Sequence, residues 1–236
     1  MRPRMSAARQ GDPIVPVELP RDPEDAIEIQ DRLRERLVLP AARIALPRFV
    51  TGLDVTYESG SSRAVAAAVV IDVEGLGVQE VAVARGTVSF PYVPGLLAFR
   101  EVPLLLAALG KLARPPELLV CDGYGVAHPR RFGLACHLGV LLDLPAFGVA
   151  KTSFIATFAD PGRRRGEWSE LVDGVEVLGR AVRTQTEVKP VFVSVGNRIG
   201  LDDAAELTVR LSGRYRIPEP TRQADILSRQ ALRQYT

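Results

Sequence analysis

Two short apolar runs in this chain end in charge. Leu118-Leu119-Val120-Cys121 shows no polar alternation, as expected of a strand covered on both faces, and stops at Asp122-Gly123. Ala146 to Ala150 reads as a second buried strand and stops at Lys151. A carboxylate and an ammonium should therefore project from neighbouring strand ends, where open α/β sheets bind ligands. Asp54 interrupts a third apolar run between Leu53 and Val55, where an unpaired carboxylate is costly to bury. Glu101 and Asp225 are the remaining candidate acids, and His128 and His137 are the only histidines. Converging carboxylates offer the hard oxygen ligands that Mg²⁺ takes while keeping several waters, the equipment of a phosphodiesterase. Taken singly, each has a plainer reading: Asp122 as a turn residue, Asp54 as an edge-strand charge, Glu101 and Asp225 as helix acids, His128 as a cap or core residue.

These residues need a scaffold, and the patterning supplies one. Pro23-Glu24-Asp25 opens a helix whose apolar positions Ala26, Ile29, Leu33 and Leu37 recur at helical spacing until Pro40. Phe49 to Tyr57, Ala64 to Val73 and Val78 to Thr87 read as three strands joined by Gly/Ser and Glu-Gly turns suited to hairpins. Leu96 to Leu112 is helical apart from Pro103, which should kink or split it beside Glu101. Pro129 suits the first turn of another helix, with Phe132, Leu134, Ala135, Leu138, Leu141 and Leu142 on its apolar side. Residues 152 to 187 are less regular and suggest a β-rich excursion. Pro190 to Val195 is a further strand candidate, Leu201 to Leu211 a helix, and Thr221 a plausible cap for a last one. The order predicts an α/β fold with a mixed sheet of about five strands flanked by helices. Met1 to Asp22, rich in Pro and Arg without periodicity, reads as a mobile tail, leaving 23–236 as a single domain.

Composition narrows the class. With 236 residues, 47% of them apolar, the chain can bury a substantial core. The net charge is only +2, but Lys111, Lys151 and Lys189 are the only lysines among 30 basic residues. Arginine dominates, and its planar fork suits phosphate, although a codon bias would give the same count. Cys121 and Cys136 lie in apolar segments and fit a reduced, cytoplasmic protein without disulfides. No apolar run reaches the roughly 18–20 residues of a membrane span, so no membrane partner is expected.

Residues 122–151, DGYGVAHPRRFGLACHLGVLLDLPAFGVAK, resemble the central motif of the endonuclease V family, nucleases that act at deaminated adenine. GLDVTY (52–57), PYVPGLLAFREVP (91–103) and PEPTRQAD (218–225) resemble further family segments, in the right order. The resemblance covers most of Phe49 to Asp225. It implies a ribonuclease H-like fold, with Asp54, Glu101 and Asp122 holding a catalytic Mg²⁺ (or Mn²⁺) and Asp225 an outer or second-metal ligand. It also implies that His128 acts near the scissile region, with Lys151 orienting water or holding phosphate. Gly123, Tyr124 and Gly125 would read the edge of a base removed from the stack. Pro91, Tyr92, Val93, Pro94 and Gly95 would form a wedge that fills the gap, the prolines stiffening the loop around the ring. Asn197 is a departure, since the family usually carries His there.

The function implied is Mg²⁺-dependent hydrolysis of the second phosphodiester 3′ to a deoxyinosine in DNA, starting repair and leaving 3′-hydroxyl and 5′-phosphate ends. An inosine-specific endoribonuclease would use the same metal residues, because discrimination rests on 2′-hydroxyl contacts. A binding protein of this fold that has lost catalysis is the third alternative, and the presence of Asp54, Glu101 and Asp122 argues against it. The oligomeric state cannot be read from the sequence; a monomer is the expectation.

Overall fold

The computed structural model describes residues 15–40 and 43–235. Residues 1–14 of the expected tail lie outside them, while Val15 and Val17 pack against one of the cores. Asp22 caps the first helix, Pro23–Arg34 (α1), its carboxylate accepting from Asp25 N at 2.8 Å. Phe49–Tyr57 (β1), Arg63–Asp72 (β2) and Val78–Thr87 (β3) form the expected antiparallel meander. Ala98–Leu109 (α2) then runs unbroken through Pro103. Val102, Leu105 and Leu106 around that proline are buried against the sheet, and this packing outweighs one missing backbone bond.

Leu119–Cys121 (β4) is followed by a long irregular turn, and the helix expected from Pro129 begins only at Leu134–Leu142 (α3). Arg131 explains the delay: its φ of 56° is left-handed and cannot belong to a helix. Ala146–Ala150 (β5) completes a parallel centre, β1-β4-β5.

The sheet has eight strands rather than about five, in the order β3-β2-β1-β4-β5-β8-β7-β6. The expected excursion is a hairpin of the same sheet, Trp168–Asp173 (β6) and Glu176–Val182 (β7), docked through Val191–Asn197 (β8). A register shift between Leu171 and Val172 breaks the two-residue period that marks a strand in sequence.

Leu201–Leu211 (α4) and Glu219–Arg233 (α5) cover one face over a Val-rich core, and α2 and α3 cover the other over Leu53, Leu106, Leu119 and Leu138. The result is the ribonuclease H-like α/β arrangement, a mixed sheet with helices on both faces. Among the described residues no helix is long and apolar enough to cross a membrane, and both cysteines are buried and unbridged.

Candidate active site

Strand register gathers the charged residues. Leu53 of β1 pairs with Cys121 of β4, so Asp54 and Asp122 are each the next residue along two parallel neighbours, and Asp122 N donates to Leu53 O at 3.2 Å. Lys151 follows the end of the adjacent β5, and its Nζ reaches Asp122 Oδ2 at 2.5 Å. Strand alternation then splits β1 between two helices. Asp54 and Thr56 face α5, whereas Tyr57 faces α2 and donates to Glu101 Oε1 at 3.0 Å.

The approach of α5 depends on Gly52. A Cβ there would lie far inside contact distance of the Pro220 carbonyl, so only glycine lets the start of α5 rest on β1. Eight residues further along α5, Ser228 Oγ lies 2.9 Å from Asp54 Oδ2, 2.7 Å from Thr56 Oγ1 and 3.0 Å from Asp225 O. Asp225 itself holds Arg229 Nε at 2.8 Å.

The acids repel one another. Burial, then the charge of Asp122 and that of Asp225, pushes the Asp54 carboxyl up to about 7, against the opposing bond from Ser228. Burial raises Glu101, only 6% exposed, to about 8; the Tyr57 hydroxyl resists this and Asp54 and Asp122 add to it. Burial works against the Lys151 ammonium, but Asp122, Asp54 and Asp225 outweigh it and raise its pKa. Asp54 and Glu101 therefore keep protons near neutral pH, while Asp122 and Asp225 are paired with Lys151 and Arg229. Among the described residues no three candidate ligands converge on one point; Asp54, Glu101, Asp122 and Asp225 are each turned to a partner of their own. An all-oxygen set fits a hard divalent cation that keeps most of its waters and needs few direct carboxylates.

Next to Asp122 lies a recess of about 190 Å³. It brings together Tyr92, Val93, Pro94, Gly95, Gly123, Tyr124 and His128. Pro91 lines a separate groove with Arg21, Ser89 and Arg100. Gly125 does not line the recess. Its N–H donates to Ser194 Oγ at 2.8 Å, its carbonyl accepts from Gly133 N at 2.9 Å, and a Cβ would strike the Val195 carbonyl. Gly125 therefore seats the turn on β8, and its polar groups are spent. The N–H groups of Gly123 and Tyr124, by contrast, make no hydrogen bond among the described residues.

His128 is buried in the recess wall, with Nδ1 accepting from Arg130 N at 3.2 Å. Burial, reinforced by Arg130, lowers its pKa to about 4, so it is neutral at pH 7 with its proton on Nε2. That suits a hydrogen-bonding wall residue better than an acid at the scissile bond. His137 is buried between Phe99 and Phe132, where it neither lines the recess nor bonds to any of the acids.

Sequence reasoning missed several contributors. Phe154 stacks on Tyr124 at 5.3 Å, Gln30 enters the recess from α1, and Arg216 ties down the Lys151 carbonyl at 2.8 Å. Ser228 and Tyr57 hold the acids. None carries a local signal, because each acts on a residue distant in sequence. Asn197 bridges three backbones instead of entering the acid cluster: its Oδ1 accepts from Val38 N at 3.0 Å and its Nδ2 donates to Gly139 O and Leu144 O.

The endonuclease V family model matches residues 31–226. Endonuclease V of Streptomyces avermitilis is 55% identical over 224 residues, covering 94% of this chain and 97% of its own, and that of Nocardia farcinica is 53% identical over 221 residues with the same coverage. The crystal structure of the S. avermitilis protein superposes with a TM-score of 0.89 over 94% of this chain and 97% of that one, at 54% identity. Ciona intestinalis endonuclease V, solved in complex with a 24mer DNA containing an inosine followed by a ribo-adenosine, is 28% identical, with a TM-score of 0.77, 90% coverage of this chain and 98% of that one.

Proposed function

The chain belongs to the endonuclease V family, and from that premise we propose that it cuts nucleic acid beside hypoxanthine, hydrolysing the second phosphodiester 3′ to a deoxyinosine in a Mg²⁺-dependent reaction that initiates DNA repair. One observation carries this reading: Asp122 of the acid cluster and Gly123 of the recess are consecutive residues. Their Cα atoms are about 3.8 Å apart, so a base seated in the recess brings a nearby phosphate of its own strand to the acids.

The recess takes a single base, which enters it by leaving the stack. The free N–H groups of Gly123 and Tyr124 are donors for the acceptor atoms of the hypoxanthine edge, and His128 and Phe154 form the wall. Tyr92, 69% exposed on its loop, occupies the place the base vacates. Asp54, Glu101 and Asp122 would hold the divalent cation, Mg²⁺ or Mn²⁺, on turning from their present partners, with Asp225 as an outer ligand. When bound there, it would supply Lewis acidity and a nucleophile at neutral pH. Lys151, held by Asp122 and fixed at its backbone by Arg216, pairs with the scissile phosphate. The deciding experiment is nicking of a labelled strand carrying one inosine beside its undamaged twin, with and without Mg²⁺. No preferential cut near the inosine would overturn the reading.

RNA is the second reading, favoured by the ribo-adenosine after the inosine in the Ciona complex. Matched DNA and RNA strands separate the two, since the extra contacts would be to 2′-hydroxyls.

Two further outcomes are expected. Tyr92→Ala should reduce preference for the inosine strand by about tenfold, from lost base–aromatic stacking, and leave Mg²⁺ activation unchanged. Full preference in the variant would show that Tyr92 only fills space. Lys151→Ala should slow single-turnover cleavage by about 10²-fold, the usual loss for one electrostatic stabiliser. A change confined to strand affinity would contradict the role given to this residue.

A further inference from the structure

Gln30 is the one residue of α1 that reaches the recess, and it is 1% exposed. Its Nε2 donates to Phe132 O at 2.6 Å and to Gly95 O at 3.3 Å, and its Oε1 accepts from Arg130 Nε. A primary amide has two N–H groups and one oxygen, so both donors and an acceptor position are committed within the protein. Gln30 is therefore poorly placed to read a ligand edge itself. What it grips is a backbone.

Gly95 ends the Pro91–Gly95 loop at a left-handed φ of 81°. Its carbonyl accepts from Gln30 and also from Arg130 Nη2 at 2.7 Å, two donors from different parts of the chain. Arg130 is fixed in turn: Arg34 of α1 donates to its carbonyl at 3.0 Å. At the other end of the loop, Arg100 Nη1 donates to Phe90 O at 2.5 Å. Between these anchors Tyr92 is exposed. The position of its ring relative to the recess is thus set at the loop ends, and of these anchors the Gln30 bonds lie in the buried, low-dielectric interior, where a hydrogen bond holds a position most firmly.

We propose that Gln30 is a specificity-determining positioning residue: with Arg130 it clamps the Gly95 carbonyl and so fixes the Tyr92 loop against the recess wall. This rests on the reading of the recess as the base site. The clamp links discrimination of the lesion to a helix remote in sequence from both the loop and the acids. A displacement of the loop by about an ångström is enough to lose a large share of preference without touching the acid cluster.

The test is Gln30→Met, which keeps side-chain volume and helix propensity and removes all three hydrogen bonds. Single-turnover nicking of the inosine strand and its undamaged twin gives the preference, and a Mg²⁺ titration of the same reaction gives the activation midpoint. Preference is expected to fall roughly ten- to hundredfold, with the midpoint unchanged. Unaltered preference in a folded variant, or an equal shift in the midpoint, overturns the proposal. Arg130→Met supplies a cycle: if both side chains act through the Gly95 carbonyl, the double variant loses little more preference than the worse single one, and full additivity counts against the clamp. Should Gln30→Met fail to fold, Gln30→Glu retains the acceptor for Arg130 while losing the donated bonds, and the same direction of change is expected. Tyr92→Ala distinguishes the two levels of failure. If it lowers preference and the Gln30 variants do not, only the clamp is wrong; if neither does, the Tyr92 loop takes no part in discrimination, and the wedge reading fails along with the clamp.

Discussion

Asp122→Asn is expected to abolish nicking while leaving binding of the inosine strand nearly intact. The substitution keeps the shape of a side chain at the end of β4 and removes one charge from the carboxylates at the strand ends, so Mg²⁺ should bind poorly. Loss of rate should exceed the 10- to 100-fold cost, roughly, of removing a group that only supports a metal ligand. Strand binding depends on other parts of the molecule: the recess that starts at Gly123, and arginine and backbone contacts to phosphates. Gel-shift affinity and single-turnover nicking on the same strand, in Mg²⁺ and in Ca²⁺, check both halves. Near wild-type nicking would remove Asp122 from the metal site, and with it most of the proposed mechanism.

The second large effect is on stability, and it needs no substrate. Folding raises the Asp54 and Glu101 carboxyls to about 7 and about 8, chiefly through burial. A carboxyl whose pKa is higher in the folded chain holds its proton there after the unfolded chain has released it, so stability falls as pH rises between the two values. Below pH 6.5 this trend is opposed by His128 and His137. Burial lowers both to about 4, so acid draws protons to the unfolded chain first. In the window from pH 6.5 to 8 the carboxyls outweigh the two histidines, whose opposing effect fades toward its upper end. Across it the metal-free protein should lose on the order of 2 kcal/mol, or several degrees in Tm. Saturating Mg²⁺ should flatten the slope by replacing the protons as the source of positive charge. Glu101→Gln should remove the larger part of it without metal. Melting curves in chelator and in Mg²⁺ at three pH values are sufficient, and a metal-free Tm that is level from 6.5 to 8 would show that the two carboxyls do not keep their protons into this range.

The sequence by itself determined the strands β1 to β5, the order of the elements, and the acids and lysine at the strand ends. These are local matters: an apolar run interrupted by Asp54, or ended by Asp122 or Lys151, is visible wherever the chain later goes. It missed the β6–β7 hairpin as part of the sheet, because a bulge broke the period, and it extended α3 backwards through Arg131, whose left-handed φ no residue pattern announced. Gly125 was expected to face a base, yet its amide and carbonyl are consumed in seating the turn on β8. What only the tertiary structure decided is which polar groups remain free and which are held: Asp54 by Ser228, Glu101 by Tyr57, Gly95 by Gln30 and Arg130. A hydrogen bond between residues 35 to 174 positions apart leaves no local trace, since it depends on two elements meeting in space, whereas a strand and the charge at its end are written in consecutive residues.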